Sequence, residues 1–287
     1  MKSNGSLGRK TGAVCGLLIL LCATACNKFQ SRSEIRSGNE SFRVGKYDTA
    51  LARYNRALQL DPGEKKIYKN IGLVYMGMYQ PGSKHPKDLE YAQKAIDYLK
   101  KYIEAFPDDK KAPEYLVTMY LNASRLDDAL SFFQAYAQKH PNDAKARETM
   151  ANLYFQKADF PKGVQMMEEA MRITGPKKET YETIGAQAWD KAHNYPDLND
   201  EQRQQVITQG IDAENKALAI DPNYAEALAF INLLYREQAR IDQRTNPQKA
   251  TEDLAKADEY RNKAIELNRQ RAAEKAKTAA AAAAAGK

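Results

Sequence analysis

One segment of this chain comes back along its length with variations, and that recurrence limits the fold more than any other feature. Gly45–Pro62, GKYDTALARYNRALQLDP, has a turn glycine, then Tyr47, Ala50, Tyr54 and Ala57, then a stop at Asp61-Pro62. Spacings of three and four residues put those four side chains on one helical stripe. Two of them are alanine, so a neighbouring helix can approach closely. The late small or aromatic position recurs at Ala57, Tyr102, Tyr136, Ala170, Ala217 and Ala264, with gaps of 45, 34, 34, 47 and 47. These gaps are 34 residues with additions of 11, 0, 0, 13 and 13. A terminating proline recurs at Pro62, Pro107, Pro141, Pro176 and Pro222, where it cannot continue a helix. Helix pairs of this size hold no core alone and must stack on one another.

The helix before each stripe has its own signature: Tyr68, Ile71-Gly72 and Tyr75; Leu116 and Tyr120; Met150-Ala151 and Tyr154; Tyr181 and Ile184-Gly185; Leu228, Ile231 and Tyr235. Together these residues resemble the tetratricopeptide repeat. In the first unit the match runs through Gly38, Phe42, Tyr47, Ala50, Tyr54, Ala57 and Pro62, and in the third through Leu116, Tyr120, Leu126, Ala129, Phe133 and Pro141. The resemblance implies an all-α fold, a right-handed α-solenoid of about six helix pairs over residues 34–268 with a concave inner face. Several positions depart from the pattern. Gly163 and Gly210 stand where alanine is usual, each at about 1 kcal/mol of helix propensity. Glu214 and Arg261 replace the aromatic of the last two units, which predicts looser packing there. Pro176 comes one residue late, after Gly175.

Three insertions are expected between the two helices of a unit, near 77–87, 191–206 and 241–253. Pro81-Gly82 and Tyr195-Pro196 mark loops. Asp200 with Glu201 reads as the N-cap and first turn of a long helix, and Asn246-Pro247 does the same. The extra turns are either drifted loops or a partner-contacting ridge on one edge. The tail, 269–287, is rich in alanine and lysine and should extend the last helix. It holds five basic residues and one acidic, whereas residues 26–268 balance at 36 against 36. The formal net charge of +7 therefore belongs to the two ends. A nucleic-acid surface on the body is not implied.

The first 25 residues read as an export signal. Lys2, Arg9 and Lys10 precede a 13-residue apolar run, Ala13–Ala25, too short for a comfortable membrane span. Ala23-Thr24-Ala25 fits ordinary signal cleavage. Followed by Cys26, the same residues resemble a bacterial lipobox, with Ala23 where leucine is usual, and Cys26 becomes the lipid-attachment site. The resemblance, with Asn27 after the cysteine, implies a lipid-anchored protein of the bacterial envelope, on the outer membrane and facing the periplasm. Cys15 and Cys22 lie in the signal, so the remaining chain can form no internal disulfide. Residues 26–33 are expected as a short polar linker reaching about 25 Å at most.

No catalytic pattern is visible. His85, His140 and His193 are scattered without metal spacing, and phosphate-loop, GxSxG and HExxH motifs are missing. Neither metal nor cofactor nor small-molecule substrate is expected, and the chain reads as a non-enzyme. Binding remains. Aligned by the repeat, the family's inner-face stripe falls on Lys66, Lys69, Lys111, Lys145, Asn152, Phe155, Glu182, Trp189 and Arg236, among others. The stripe is lysine-weighted toward the front and glutamate-weighted toward the back, an arrangement able to orient an extended peptide or charged helix. Phe155 and Trp189 either anchor a partner or pack between helices. The expected role is a membrane-anchored scaffold or adaptor for another protein or peptide. Alternatives are a peptidoglycan tether through Lys287, or an accessory similar to the repeat lipoproteins of outer-membrane or pilus assembly.

Overall fold

The computed structural model describes residues 26–285. The expected signal and the last two residues lie outside them. The described residues form twelve helices and no strand. In order they are α1 (26–43), α2 (Tyr47–Leu60), α3 (Ile67–Met78), α4 (Pro86–Ala105), α5 (Ala112–Asn122), α6 (Leu126–Lys139), α7 (Ala144–Gln156), α8 (Phe160–Thr174), α9 (Lys178–Asn194), α10 (Asp200–Ile220), α11 (Ala225–Thr245) and α12 (Pro247–Ala285). Within the units, α1–α2, α3–α4, α7–α8, α9–α10 and α11–α12 pair as hairpins. The recurring prolines each fall just beyond the end of a second helix, at α2, α4, α6, α8 and α10. The chain divides into two units, 1–129 and 130–287, with the division inside α6.

In the first unit the repeat stripe is the core. Ala50, Tyr54 and Ala57 of α2 are buried, as are Ile67, Ile71 and Val74 of α3. The Tyr54 ring lies on Gly38 of α1, where an added Cβ would stand 2.6 Å from its Cε1. The Tyr54 hydroxyl donates to Asn39 Oδ1 at 2.7 Å. Gly72 of α3 accepts Leu99 of α4 in the same manner, 2.9 Å from its Cγ. Residues 27–33, expected as a linker, are instead the opening turns of α1. Ser31 is buried there and its hydroxyl donates to the Ala57 carbonyl at 3.0 Å. Polar composition fits one side of a helix as well as it fits a linker, and a helical rise shortens the stretch to about 10 Å.

The second unit has a core of Ala151, Phe155, Phe160, Met167, Ile184, Ala188, Ile207 and Leu234. Its two unusual glycines have steric partners. Gly163 of α8 lies beneath the Phe155 ring, whose Cε1 would be 2.2 Å from an added Cβ. Gly210 of α10 similarly admits Ala188 and Leu234, at 2.6 and 3.0 Å. What helix propensity loses at these sites, close helix approach regains.

All three insertions fall between the two helices of a pair, and most of their residues are helical. They lengthen α4 to 20 residues and α10 and α11 to 21 each. The 79–85 loop is tied down: the Tyr79 hydroxyl and the Gly82 amide both donate to the Asn122 carbonyl, at 3.0 and 3.3 Å. The start of α10 is one residue earlier than the sequence reading placed it. Asn199, in extended conformation, is the cap, and its side chain and that of Gln202 bond each other's backbone amides reciprocally. Asp200 and Glu201 fill the first turn, favourable for the helix dipole. Asn246 caps α12 through the Lys249 amide at 3.2 Å. That helix runs through the alanine-rich tail to Ala285.

Candidate functional site

The nine candidate binding residues divide between the units. In the first, Lys66 and Lys111 are exposed at the starts of α3 and α5. Lys69 is engaged: its Nζ donates to Asp109 Oδ2 at 3.0 Å and lies 4.8 Å from the centre of the Tyr102 ring. The Tyr102 hydroxyl donates to the same oxygen at 2.7 Å. That bond, with Lys69 and the Lys111 amide, holds the Asp109 carboxyl down at about 2. A depressed carboxylate supplies stability that is present above its ordinary pKa near 4 and lost as pH falls through about 2. Asp109→Asn should therefore lower the stability of the protein at neutral pH. The gap from wild type should close toward pH 2, read by urea unfolding across that range.

In the second unit, Lys145 and Asn152 are exposed on α7, with Lys145 3.5 Å from Glu148. Phe155 is turned inward, 8% exposed, against Phe160 at 5.8 Å between ring centres. It is a packing residue and does not serve as an anchor. Its ring lies over Gly163 of α8, in the space a side chain there would fill. Arg236 is held by Asn232 and Asp258 at 3.0 and 2.6 Å. Trp189 is half-buried, stacked on His193 at 5.1 Å and set 6.5 Å from Phe230 of α11.

Glu182 lies on the Trp189 stripe of α9, two turns nearer its start. Its carboxyl is pushed above the usual range by burial and by the charges of Glu226 and Glu179. Glu182 near Glu226 and Trp189 near Phe230 lie in the same order along both helices. α9 and α11 therefore run side by side, with a carboxylate end and an aromatic end. Behind the carboxylate end stands Glu214 of α10, fully buried, with neither carboxyl oxygen hydrogen-bonded. It occupies the space a side chain at Gly185 would fill, its Oε1 2.0 Å from where that Cβ would be. Burial, and then the charge of Glu182, pushes its carboxyl up to about 9. The same carboxylates, after burial itself, lift the Tyr224 hydroxyl to about 12. Lys178, at the rim, is taken by Asp221 at 2.5 Å. Arg271 of α12 reaches this end, donating to the Asn223 carbonyl at 2.8 Å and standing 3.6 Å from Glu226.

The sequence placed Glu182 and Trp189 on one stripe through the repeat register. Tyr224, Phe230 and Arg271 had no such signal, and Glu214 showed only as a missing aromatic. At the inserted edge a cleft of about 770 Å³ is lined by His193, Arg203, Glu237, Arg240 and Arg244. Its cations are occupied: Arg203 by the Tyr195 and Leu198 carbonyls, Arg240 by Glu237, and Arg244 by Asp200. Among the described residues no His, Cys, Asp and Glu side chains converge as a metal site. No described helix is long and apolar enough to cross a membrane.

The profile of the TPR repeat matches residues 38–78, the α1–α2 pair and α3. Residues 38–78 therefore carry a tetratricopeptide repeat, and the described helices that follow continue the all-helical arrangement. A DnaJ homolog subfamily C member 7 homolog of Schizosaccharomyces pombe is 31% identical over 114 residues, 32% of this chain. The chain spans only 24% of that relative's length. Among solved structures, YrrB, described as a TPR protein with an unusual peptide-binding site, is 20% identical, with a TM-score of 0.42 over 68% of this chain and 88% of its own. The C-terminal part of a TPR repeat-containing protein from Cytophaga hutchinsonii is 16% identical, with a TM-score of 0.49 over 79% and 78%.

Proposed function

We propose that this protein is a non-enzymatic scaffold of the bacterial envelope that holds another protein through its helix-pair repeats. The observation that carries this reading is the strip across α9 and α11, where half-buried Glu182, Trp189 and Phe230 are presented side by side and the carboxylates Glu179 and Glu182 have no ion-pair partner among the described residues. Side chains held half-desolvated on a rigid helix surface are the makings of a binding hot spot. The anchor is Cys26, exposed at the start of α1. Phe29, three residues on and 77% exposed, stands near it on the same face of α1 and suits a lipid interface.

Photoreactive residues placed at Asn152, Trp189 and Gln204 in living cells test the scaffold role. One envelope protein captured from Trp189 is the expected outcome. Capture from Gln204 alone would move the binding surface to the inserted edge, and no capture from any position would reject the scaffold role. For the anchor, Cys26→Ser should move the protein from the membrane to the soluble fraction, and an unchanged distribution would reject lipid attachment.

A further inference from the structure

Four glutamates gather at the carboxylate end of the α9–α11 strip, and their mutual arrangement is costly. The charges of Glu179, Glu182 and Glu226 oppose one another, and burial takes water from Glu182 and from Glu214 behind it. Glu179 and Glu182 have no ion-pair partner among the described residues. Glu214, directly behind them, has no hydrogen-bond partner for either oxygen while fully buried. A protein that keeps an unpaired carboxyl enclosed behind two more unpaired ones has left a place for a cation. The chain itself shows that this end accepts a guanidinium, since Arg271 lies on Glu226 and the Asn223 carbonyl.

From these contacts we infer that the strip binds an extended segment of a partner protein carrying a basic residue, arginine or lysine, about three positions from an aromatic or large aliphatic one. The basic side chain sits between Glu179, Glu182 and Glu226, and the apolar one lies against Trp189 and Phe230. The spacing follows from the helix. Seven residues separate Glu182 from Trp189, a rise of about 10 Å, and an extended chain covers that in about three residues at roughly 3.3 Å each. The cation is held by the charges of Glu179, Glu182 and Glu226, so binding weakens when those charges are removed. This inference rests on the scaffold reading and adds the chemistry of the partner.

Trp189 is the only tryptophan of the chain, so its fluorescence reports on the strip directly. The probes are capped nonapeptides: Gly-Ser-Gly-Arg-Ser-Ser-Phe-Gly-Ser, the same peptide with Glu for Arg, and one with Phe moved next to Arg. With the full chain, the first should bind at least tenfold more tightly than the second and several-fold more tightly than the third. Glu182→Gln should weaken the first by about tenfold and leave the helical circular dichroism unchanged. Equal affinity of the acidic probe, no loss in Glu182→Gln, or no binding of the first peptide at millimolar concentration would each overturn the inference. Crosslinking separates this failure from failure of the scaffold reading: a partner captured from Asn152 or Gln204, with no basic peptide bound at Trp189, leaves the scaffold standing and removes only the basic segment.

Discussion

Glu214→Gln is expected to make the protein more stable at pH 8 than the wild type, with the advantage shrinking to little by pH 5. Folding places this carboxyl in a site facing Glu182 from α9 and Tyr224 at the α10–α11 turn, with no hydrogen-bond partner. Its folded pKa is raised to about 9 from the usual 4.5. Below about 4.5 the group is protonated in both states and exerts no pH effect. Between 4.5 and 9 the folded state alone holds the proton, so stability falls as pH rises, by about 1.4 kcal/mol for each pH unit. Above 9 the loss is complete. Glutamine has no proton to hold and removes that slope. Urea unfolding followed by Trp189 fluorescence, at intervals from pH 5 to 9, measures it. Parallel curves for the two proteins would mean that Glu214 is not the buried neutral acid described here.

The second large effect runs against helix propensity. Gly163→Ala, at the end of the first turn of α8, should return up to about 1 kcal/mol from propensity alone. It should nonetheless destabilise the protein, because the new Cβ would meet the Phe155 ring at 2.2–2.8 Å. Overpacking of a filled core costs about 1–3 kcal/mol, and this contact is among the closest in the second unit. Phe155→Leu shortens the ring away from Gly163, so the pair Gly163→Ala with Phe155→Leu should lose much less than the two single losses added together. A coupling of at least about 1 kcal/mol in that double-mutant cycle is the expected result. A stabilised Gly163→Ala single variant would show that the Phe155 ring does not lie there.

These two sites mark where sequence reading stops. The ladder Ala57, Tyr102, Tyr136, Ala170, Ala217 and Ala264 was legible because a stripe and its stop are local, and all six side chains are indeed buried. Helix ends were nearly legible. The step from Asp200 to Asn199 depends on which residue takes the extended backbone and on Gln202 answering it three positions later, a pattern present in the sequence. Phe155 and Trp189 were equivalent as aromatics on first helices. Only Gly163, on another helix, separates the buried one from the half-exposed one. Glu214 likewise depends on Gly185, 29 residues earlier in the chain. Of the candidate strip, the register gave Glu182 and Trp189. Phe230 and Arg271 enter through pairings between helices, which periodicity within one helix does not encode.

The opening of α1 has a mechanical consequence. A slack linker absorbs a pull by straightening, whereas the opening of α1 has little length to give, which matters if the proposed lipid on Cys26 pulls there. Ser31, five residues after Cys26 and about 7 Å further along the helix axis, is already buried against the Ala57 carbonyl. Tension applied at residue 26 is therefore delivered almost at once to the α1–α2 contact, beside the closely packed Gly38 and Tyr54. α1 then acts as a stiff lever: its tilt, and any load on it, is felt by the first repeat before it can be dissipated.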